Sequence, residues 1–412
     1  MTNGTKNVPE LRFPEFDGEW EENKLIDVLK DKSEGIKRGP FGGALKKDIF
    51  IEDGYAIYEQ RNAIYDMQQF RYFITQQKYD EMIGFAIKPN DIIMSCSGTI
   101  GKLSLIPENA KQGIINQALI RFRTNDKLLS NYFLIYMNSR YMQRKILESN
   151  PGSAITNLIP VKELKKLNFP SPKINEQKKI GEFFSKLDRQ IELEEQKLAK
   201  LEEQKKGYMQ KIFSQELRFK DENGNTNYYW CDFKINDLFS KIESGNRLPK
   251  TNLKEGSIPY VIAQTTNNGI FMYISENTLD YHNNKIKLFP KGSITISIDN
   301  PEAMFIQKED FFTSNVMRVL HNENLKNESH IFIMESLKKL TQSYNWSVKF
   351  SGPIIMNSVI KLPIYKNSEI NWDIVNKIGN LFNKLDKKIN IQSNKIESLK
   401  QRKQGLLQKM FI

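Results

Sequence analysis

The run GIKRGPFGGALKK, from Gly35 to Lys47, offers the first chemistry in the chain. It is too rich in Gly and Pro for a helix or a central strand. Lys37, Arg38, Lys46 and Lys47 on such backbone suit contacts to phosphate, and the Phe41 ring suits stacking or wedging against bases. Gln60, Arg61 and Asn62 carry side chains that can pair bidentately with base edges, while Ser95, Ser97 and Thr99 share a tight loop with Gly98 and Gly101. A second set stands at matching places later in the chain: Lys241, Asn246, Arg247 and Lys250, then Gln264, Thr265, Thr266, Asn267 and Asn268. Each group also reads as a solvated turn or a sheet edge.

Catalytic constellations are missing from the pattern. GTIGKL at Gly98–Leu103 falls short of a P-loop, because Cys96 stands where the first glycine belongs and Leu103 replaces the magnesium-binding hydroxyl. No strand leads into a Gly-x-Gly-x-x-Gly turn, and Asn300, Pro301, Glu302 lacks the second proline and the aromatic of the adenine-methyltransferase motif. His282, His321 and His330 are scattered and far from paired cysteines, so no usual metal spacing arises. The triplet Glu195–Lys197 reads as a solvated helix face. A binding protein is expected, not an enzyme.

Composition fits that expectation. Lys and Arg outnumber Asp and Glu by 61 to 49, a net charge of +12, which favours an anionic partner such as nucleic acid or a phospholipid surface. A generally lysine-rich composition would give the same balance. No apolar run reaches the roughly 20 residues of a membrane span, and the polar start MTNGTKNVPE is unlike a signal peptide. The cysteines, Cys96 and Cys231, cannot make a disulfide framework, so a cytoplasmic protein is expected.

The elements that must position these loops occur twice. Residues 1 to about 10 read as a frayed tail, and Leu11, Phe13, Phe16 and Trp20 before a short amphipathic segment are answered from Leu217 to Leu238. YAIYEQRNAI and DIIMSCSGTIGKLSLI read as short strands joined by polar turns, and Leu128–Leu147 as a core-packing helix. The segment from Pro151 then passes through turns and a last strand, Pro170 and Pro172 marking the change to a helix.

From Lys179 to Phe213 and again from Lys377 to Phe411 the chain repeats itself, with about 15 of 35 positions identical. The apolar positions Ile180, Phe184, Leu187, Ile191, Leu198, Leu201, Tyr208 and Ile212 alternate steps of four and three, a heptad seam interrupted by Glu194 and Lys205. The second copy carries Ile378, Phe382, Leu385, Ile389, Ile396, Leu399, Leu406 and Met410, interrupted at the matching places by Gln392 and Lys403. Antiparallel pairing with two-fold pseudosymmetry would set Glu194 against Lys403 and Gln392 against Lys205, with Leu198 facing Leu399, Leu201 facing Ile396 and Ile191 facing Leu406. A parallel pairing would bring Lys205 onto Lys403. The seam would be roughly 50 Å long, about one and a half turns of B-DNA.

This order of globular domain, heptad helix, different globular domain and similar helix, with LRFPEF followed by Gly18, Glu19, Trp20, and with Glu176, Gln177 before KKIGEFFSKLD, resembles the specificity subunit of type I restriction-modification enzymes. The second helix departs from the pattern, opening with NWDIVNKIG without the Glu-Gln pair. The fold expected is α+β: two mixed α/β target recognition domains at residues 1–172 and 214–370, separated by two long antiparallel coiled-coil helices at 173–213 and 371–412. The resemblance implies a non-catalytic subunit, each domain reading one half of an asymmetric, interrupted sequence in double-stranded DNA. The helices would set the gap and dock two methyltransferase subunits, with two restriction (translocase and nuclease) subunits as optional further partners. S-adenosylmethionine, ATP and magnesium would be used by those partners and none by this chain. A stand-alone coiled-coil DNA-binding regulator and a nuclease or methyltransferase of unfamiliar type are the other readings.

Overall fold

The computed structural model describes residues 7–411 apart from 42, 149–159, 221–223 and 225; the first six residues of the expected tail and the expected turn at 151–159 lie outside them. The chain divides into two compact units, residues 1–195 with 394–412, and residues 196–393.

In the first unit the strands are β1 (Ile36–Arg38), β2 (Tyr55–Tyr58), β3 (Phe73–Ile74), β4 (Ile92–Ser95), β5 (Leu103–Leu105), β6 (Gly113–Ile115) and β7 (Leu119–Phe122). Helix α1 (Gln60–Tyr65) follows β2, and α2 (Ser130–Met137) and α3 (Arg140–Glu148) follow β7. An antiparallel sheet has the order β1-β7-β4-β5, and a second has β3-β2-β6 with β2 and β6 parallel. Every residue of β4 and β7 is buried, the pattern of strands covered on both faces. The single helix expected over Leu128–Leu147 is two, broken at Asn138–Ser139. There the Ser139 hydroxyl accepts the Met142 amide at 3.2 Å and restarts the helix.

A 40-residue helix, α4 (Ile174–Phe213), leaves this unit and ends in the second. There β8 (Tyr229–Lys234), β9 (Glu243–Ser244), β10 (Glu255–Val261), β11 (Ile270–Ile274), β12 (Ile294–Ser297), β13 (Met304–Ile306), β14 (Phe312–Thr313) and β15 (Met317–Leu320) precede α5 (Asn327–Thr341), β16 (Val359–Ile364) and the 38-residue α6 (Trp372–Lys409). The sheets repeat the first unit's orders: β9-β15-β12-β13 answers β1-β7-β4-β5, and β11-β10-β14 answers β3-β2-β6, again with one parallel pair. Where β8 and β16 pair over six residues, the first unit has only the bridges Glu21–Ser171 and Lys24–Asn168.

Each core is completed by the far end of a long helix. Phe411, just past α6, lies 5.4 Å from Tyr136, 5.8 Å from Tyr132, 6.1 Å from Phe184 and 6.2 Å from Trp20 in the first unit. Phe213, its counterpart at the end of α4, lies 5.8 Å from Phe332, 6.2 Å from Trp230 and 6.5 Å from Phe382 in the second. The Leu11 amide donates to the Lys409 carbonyl at 2.8 Å, so the N-terminal segment is bonded to the end of α6.

The helices pair antiparallel, but with different polar partners from those expected. In the first unit Lys403 meets Asp188, not Glu194, and Glu194 meets Lys395. In the second unit Lys205 meets Asp386 at 2.7 Å and Glu335 of α5 at 3.0 Å, not Gln392. Asp188 and Asp386 are matching residues, as are Lys403 and Lys205, so one ion pair occurs once in each unit. The partners are displaced by about one heptad. A seam of period seven is satisfied equally by registers seven residues apart, and the aspartates beside Leu187 and Leu385 give the displaced register its ion pairs. Burial pulls the Lys205 ammonium towards neutrality, but Glu335 and Asp386 more than offset it and raise its pKa.

Phe411→Ala should lower the stability of the first unit by about 3–5 kcal/mol. Amide hydrogen exchange should then show β4 and β7 losing protection while β12 and β15 keep theirs; equal loss in both units would contradict reciprocal sealing.

Candidate nucleic-acid interface

The first unit brings three of its candidate segments to one place. A Cβ on Gly39 would lie 1.8 Å from the Asn116 carbonyl oxygen, so only glycine lets the loop after β1 press on the turn at 116–117. Arg38, half-buried, donates from Nε to the Gln117 carbonyl at 3.4 Å and lies 5.2 Å from the Phe41 ring, which is 75% exposed. On the other side of β7, β4 ends in the Ser95–Gly101 turn, where Gly98 has φ of +60° and the Gln60 side-chain amide nitrogen stands 3.1 Å from the place of a Cβ. Arg38, Phe41, Ser97 and Thr99 therefore belong to adjoining loops, with Gln60 at the start of α1 against the second of them. Lys46 and Lys47 are exposed further along the basic loop, and Lys37 lies 5.0 Å from the Phe85 ring.

Two of the expected readers are structural. Gln60–Asn62 form the first turn of α1 rather than part of the short strand expected over YAIYEQRNAI. Asn62 is buried, accepting the Glu59 amide at 2.8 Å and donating to the Met67 and Gln69 carbonyls, so its amide has no group left for a base edge. Ser95 is buried as well, donating to the Thr99 carbonyl and accepting the Lys102 amide at 3.0 Å, which closes the turn presenting Ser97 and Thr99. Arg61 is half-buried with Nε 3.2 Å from the Met67 sulfur.

The second unit uses the same backbone with other side chains. A Cβ on Gly245 would lie 1.8 Å from the Thr313 carbonyl, as at Gly39. Asn246 then donates to Asp280 at 3.2 Å, while Arg247 lies 5.4 Å from the ring of Tyr281, both exposed. The amides of Asn284 and His282 hold the Asp280 carboxyl below its ordinary range. Lys241 is ion-paired to Glu243 at 3.1 Å, and Lys250 is exposed. Gln264 and Asn268 are spent on their turn: Gln264 donates to the Ile270 carbonyl at 2.6 Å, and Asn268 to the Ile306 carbonyl at 3.0 Å. Asn267, exposed, donates to the Ile270 carbonyl at 3.1 Å, leaving Thr265 and Thr266 as exposed hydroxyls. Sequence spacing could not separate these roles, because an amide's partner is often a carbonyl brought from another strand.

Glu176 and Gln177 turn out to be anchors. Arg12 grips Glu176 through two hydrogen bonds of 2.8 and 2.6 Å, Trp20 adds a third at 3.3 Å, and Gln177 donates to the Lys127 and Pro172 carbonyls. Ile374 and Val375 hold the matching places in α6, fully buried, so packing replaces the polar clamp there.

Burial raises the Cys96 thiol above its ordinary pKa against the pull of Arg38, which disfavours a thiolate. His321 and His330, expected to be scattered, stack with ring centres 5.6 Å apart. His330 Nε2 accepts the Asn322 amide at 3.2 Å while Nδ1 lies 3.1 Å from the Lys326 carbonyl, so the ring is neutral with its proton on Nδ1. Among the described residues no group of three His, Cys, Asp or Glu stands ready for a metal, and no helix is long and apolar enough to cross a membrane.

A model of the type I restriction modification DNA specificity domain matches residues 18–203 and again residues 227–395. The chain belongs to this family. Over 137 residues it is 29% identical to the specificity subunit S.BcgI of a type II restriction enzyme of Heyndrickxia coagulans, spanning 32% of this chain and 38% of that relative. Over 312 residues it is 24% identical to a Methanocaldococcus jannaschii protein named as the type I restriction enzyme MjaX specificity subunit, spanning 72% of this chain and 70% of the other. The fold is similar to that of the type I restriction-modification S subunit from M. genitalium, with a TM-score of 0.62, 18% identity and coverage of 98% and 99% of the two chains. A chain from a study of assembly and conformational transition in the type I system gives 0.54, with 13% identity and coverage of 95% and 97%.

Burial pushes His330 down to about 4, so between its ordinary pKa near 6.5 and that value the unfolded chain binds a proton the folded unit refuses. Stability should fall as pH drops through this window, by on the order of 3 kcal/mol at most. Urea unfolding at pH 7 and pH 4.5 should show a smaller acid loss in His330→Gln than in the wild type; equal losses would contradict the assignment.

Proposed function

We propose that the chain is the DNA-reading subunit of a type I restriction-modification complex, each unit reading one half of an asymmetric, interrupted target. The observation that carries this reading is one scaffold used twice with different side chains on matching turns. Phe41 stands in the first unit where Arg247 stands in the second, each two residues past the glycine whose close approach sets the loop. Different readers on equal backbones match two different half-sites. The half-buried Arg38 and Ser97 and the exposed Thr99, Arg247, Thr265 and Thr266 supply hydrogen bonds to bases, and Lys46, Lys47 and Lys250 supply phosphate contacts.

The helices set the gap between the half-sites and dock two methyltransferase subunits. Supporting the second role, Leu193 and Ile391, at matching positions of α4 and α6, are 48% and 68% exposed on otherwise polar faces. Equivalent apolar points on repeated helices fit two copies of one partner. S-adenosylmethionine, ATP and magnesium belong to those partners, and the complex works in the cytoplasm.

Arg247→Ala should change the methylated bases in one half of the target and leave the other half and the gap unchanged. Methylation mapping in cells carrying the variant reads this directly, and an unchanged motif, or changes in both halves, would refute the assignment.

A further inference from the structure

In each unit one turn enters an inner strand of the four-stranded sheet between the loops already described. The sheet order puts β7 between β1 and β4, so the turn Asn116–Leu119 lies between the Arg38–Phe41 loop and the Ser95–Gly101 turn. The Gly39 amide donates to the Leu119 carbonyl at 3.0 Å on one side, and the Cys96 amide to the Ala118 carbonyl at 2.9 Å on the other. In the second unit β15 lies between β9 and β12, and the Ile298 amide donates to the Val316 carbonyl at 3.1 Å, as Cys96 does to Ala118. The turn itself recurs: the Leu119 amide donates to the Asn116 carbonyl and the Met317 amide to the Ser314 carbonyl, each at 3.1 Å. Gln117 and Asn315 are therefore the same corner residue in the two units.

An arginine holds the backbone of that corner in both. Arg38 Nε donates to the Gln117 carbonyl at 3.4 Å, and Arg318 Nη1 donates to the Asn315 carbonyl at 2.9 Å. The Asn116 side chain is spent inside its turn, accepting the Ala118 amide at 3.0 Å. The corner side chains are not spent in this way: Gln117 and Asn315 are both exposed, and neither carboxamide makes a hydrogen bond among the described residues. Each thus offers a donor and an acceptor side by side on a fixed backbone. In the major groove adenine presents the matching pair, an N6 amino donor beside the N7 acceptor. Guanine presents two acceptors there and a phosphate only accepts, so neither uses both halves of the amide.

We propose that Gln117 and Asn315 are specificity-determining residues, each pairing its carboxamide with the N6 and N7 groups of an adenine, one in each half of the target. This rests on the reading of the chain as a DNA-recognition subunit. The two residues stand in no basic or Gly-rich run, and their equivalence emerges only when the strands on either side are paired.

The test maps DNA methylation by long-read sequencing in cells carrying the wild-type chain, Gln117→Ala or Asn315→Ala. The wild-type motif should hold an A·T pair in each half. Gln117→Ala should relax one A·T position in one half, Asn315→Ala should relax one in the other, and the gap and the remaining positions should stay as they are. A motif unchanged in either variant, or relaxed at a G·C position, would overturn the proposal. Fluorescence anisotropy with the assembled complex gives a second readout that a damaged fold does not imitate, using duplexes in which one adenine at a time is replaced by 7-deazaadenine, which lacks the N7 acceptor. The wild type should bind one substituted duplex in each half roughly tenfold more weakly, and Gln117→Ala should no longer distinguish the one in its half. A wild-type complex indifferent to every substitution would overturn the proposal. A methylation motif that survives deletion of the chain would instead remove the recognition reading itself, and this proposal with it.

Discussion

Two phenylalanines at the ends of two helices hold the architecture together. Phe411 packs among Trp20, Tyr132, Tyr136 and Phe184, and Phe213 packs among Trp230, Phe332 and Phe382. Neither core is complete with residues contiguous in sequence. The first unit needs the last residues of the chain, and the second needs the end of the helix that began in the first. Reciprocal burial of this kind makes the helices part of both cores, and the Lys403–Asp188 and Lys205–Asp386 pairs repeat the arrangement in charge.

That shared construction leaves the loops free to differ. Gly39 and Gly245 make the same close approach to a carbonyl, yet Phe41 follows one and Arg247 the other. Amides and hydroxyls such as Asn62, Ser95 and Asn268 hold turns in shape, and exposed neighbours such as Thr99 and Thr265 are the groups we propose to meet DNA. A net charge of +12 attracts any nucleic acid alike, so in the proposed reading sequence preference comes from these few side chains.

Much of this was legible in the sequence. The repeated helices, their antiparallel pairing and the two mixed α/β halves follow from a heptad that recurs with its polar interruptions in step. The register did not follow, because period seven is degenerate and the deciding aspartates, Asp188 and Asp386, lie beside the seam rather than in it. Among the loop residues, spacing could not tell an exposed side chain from a brace. That distinction depends on which carbonyls the rest of the fold brings within reach, as with the Met67 carbonyl against Asn62 and the Ile306 carbonyl against Asn268. Phe411 gave no signal alone; its likeness to Phe213 was visible only through the repeat.

The central claim is that one chain with two unlike readers on one scaffold specifies one interrupted DNA target. Long-read sequencing of DNA methylation in cells with and without this chain tests it most directly. The account predicts a two-part motif with unequal halves and a fixed gap, present with the chain and lost on deletion. A methylation pattern that survives deletion, or a chain-dependent motif that is continuous, would contradict it.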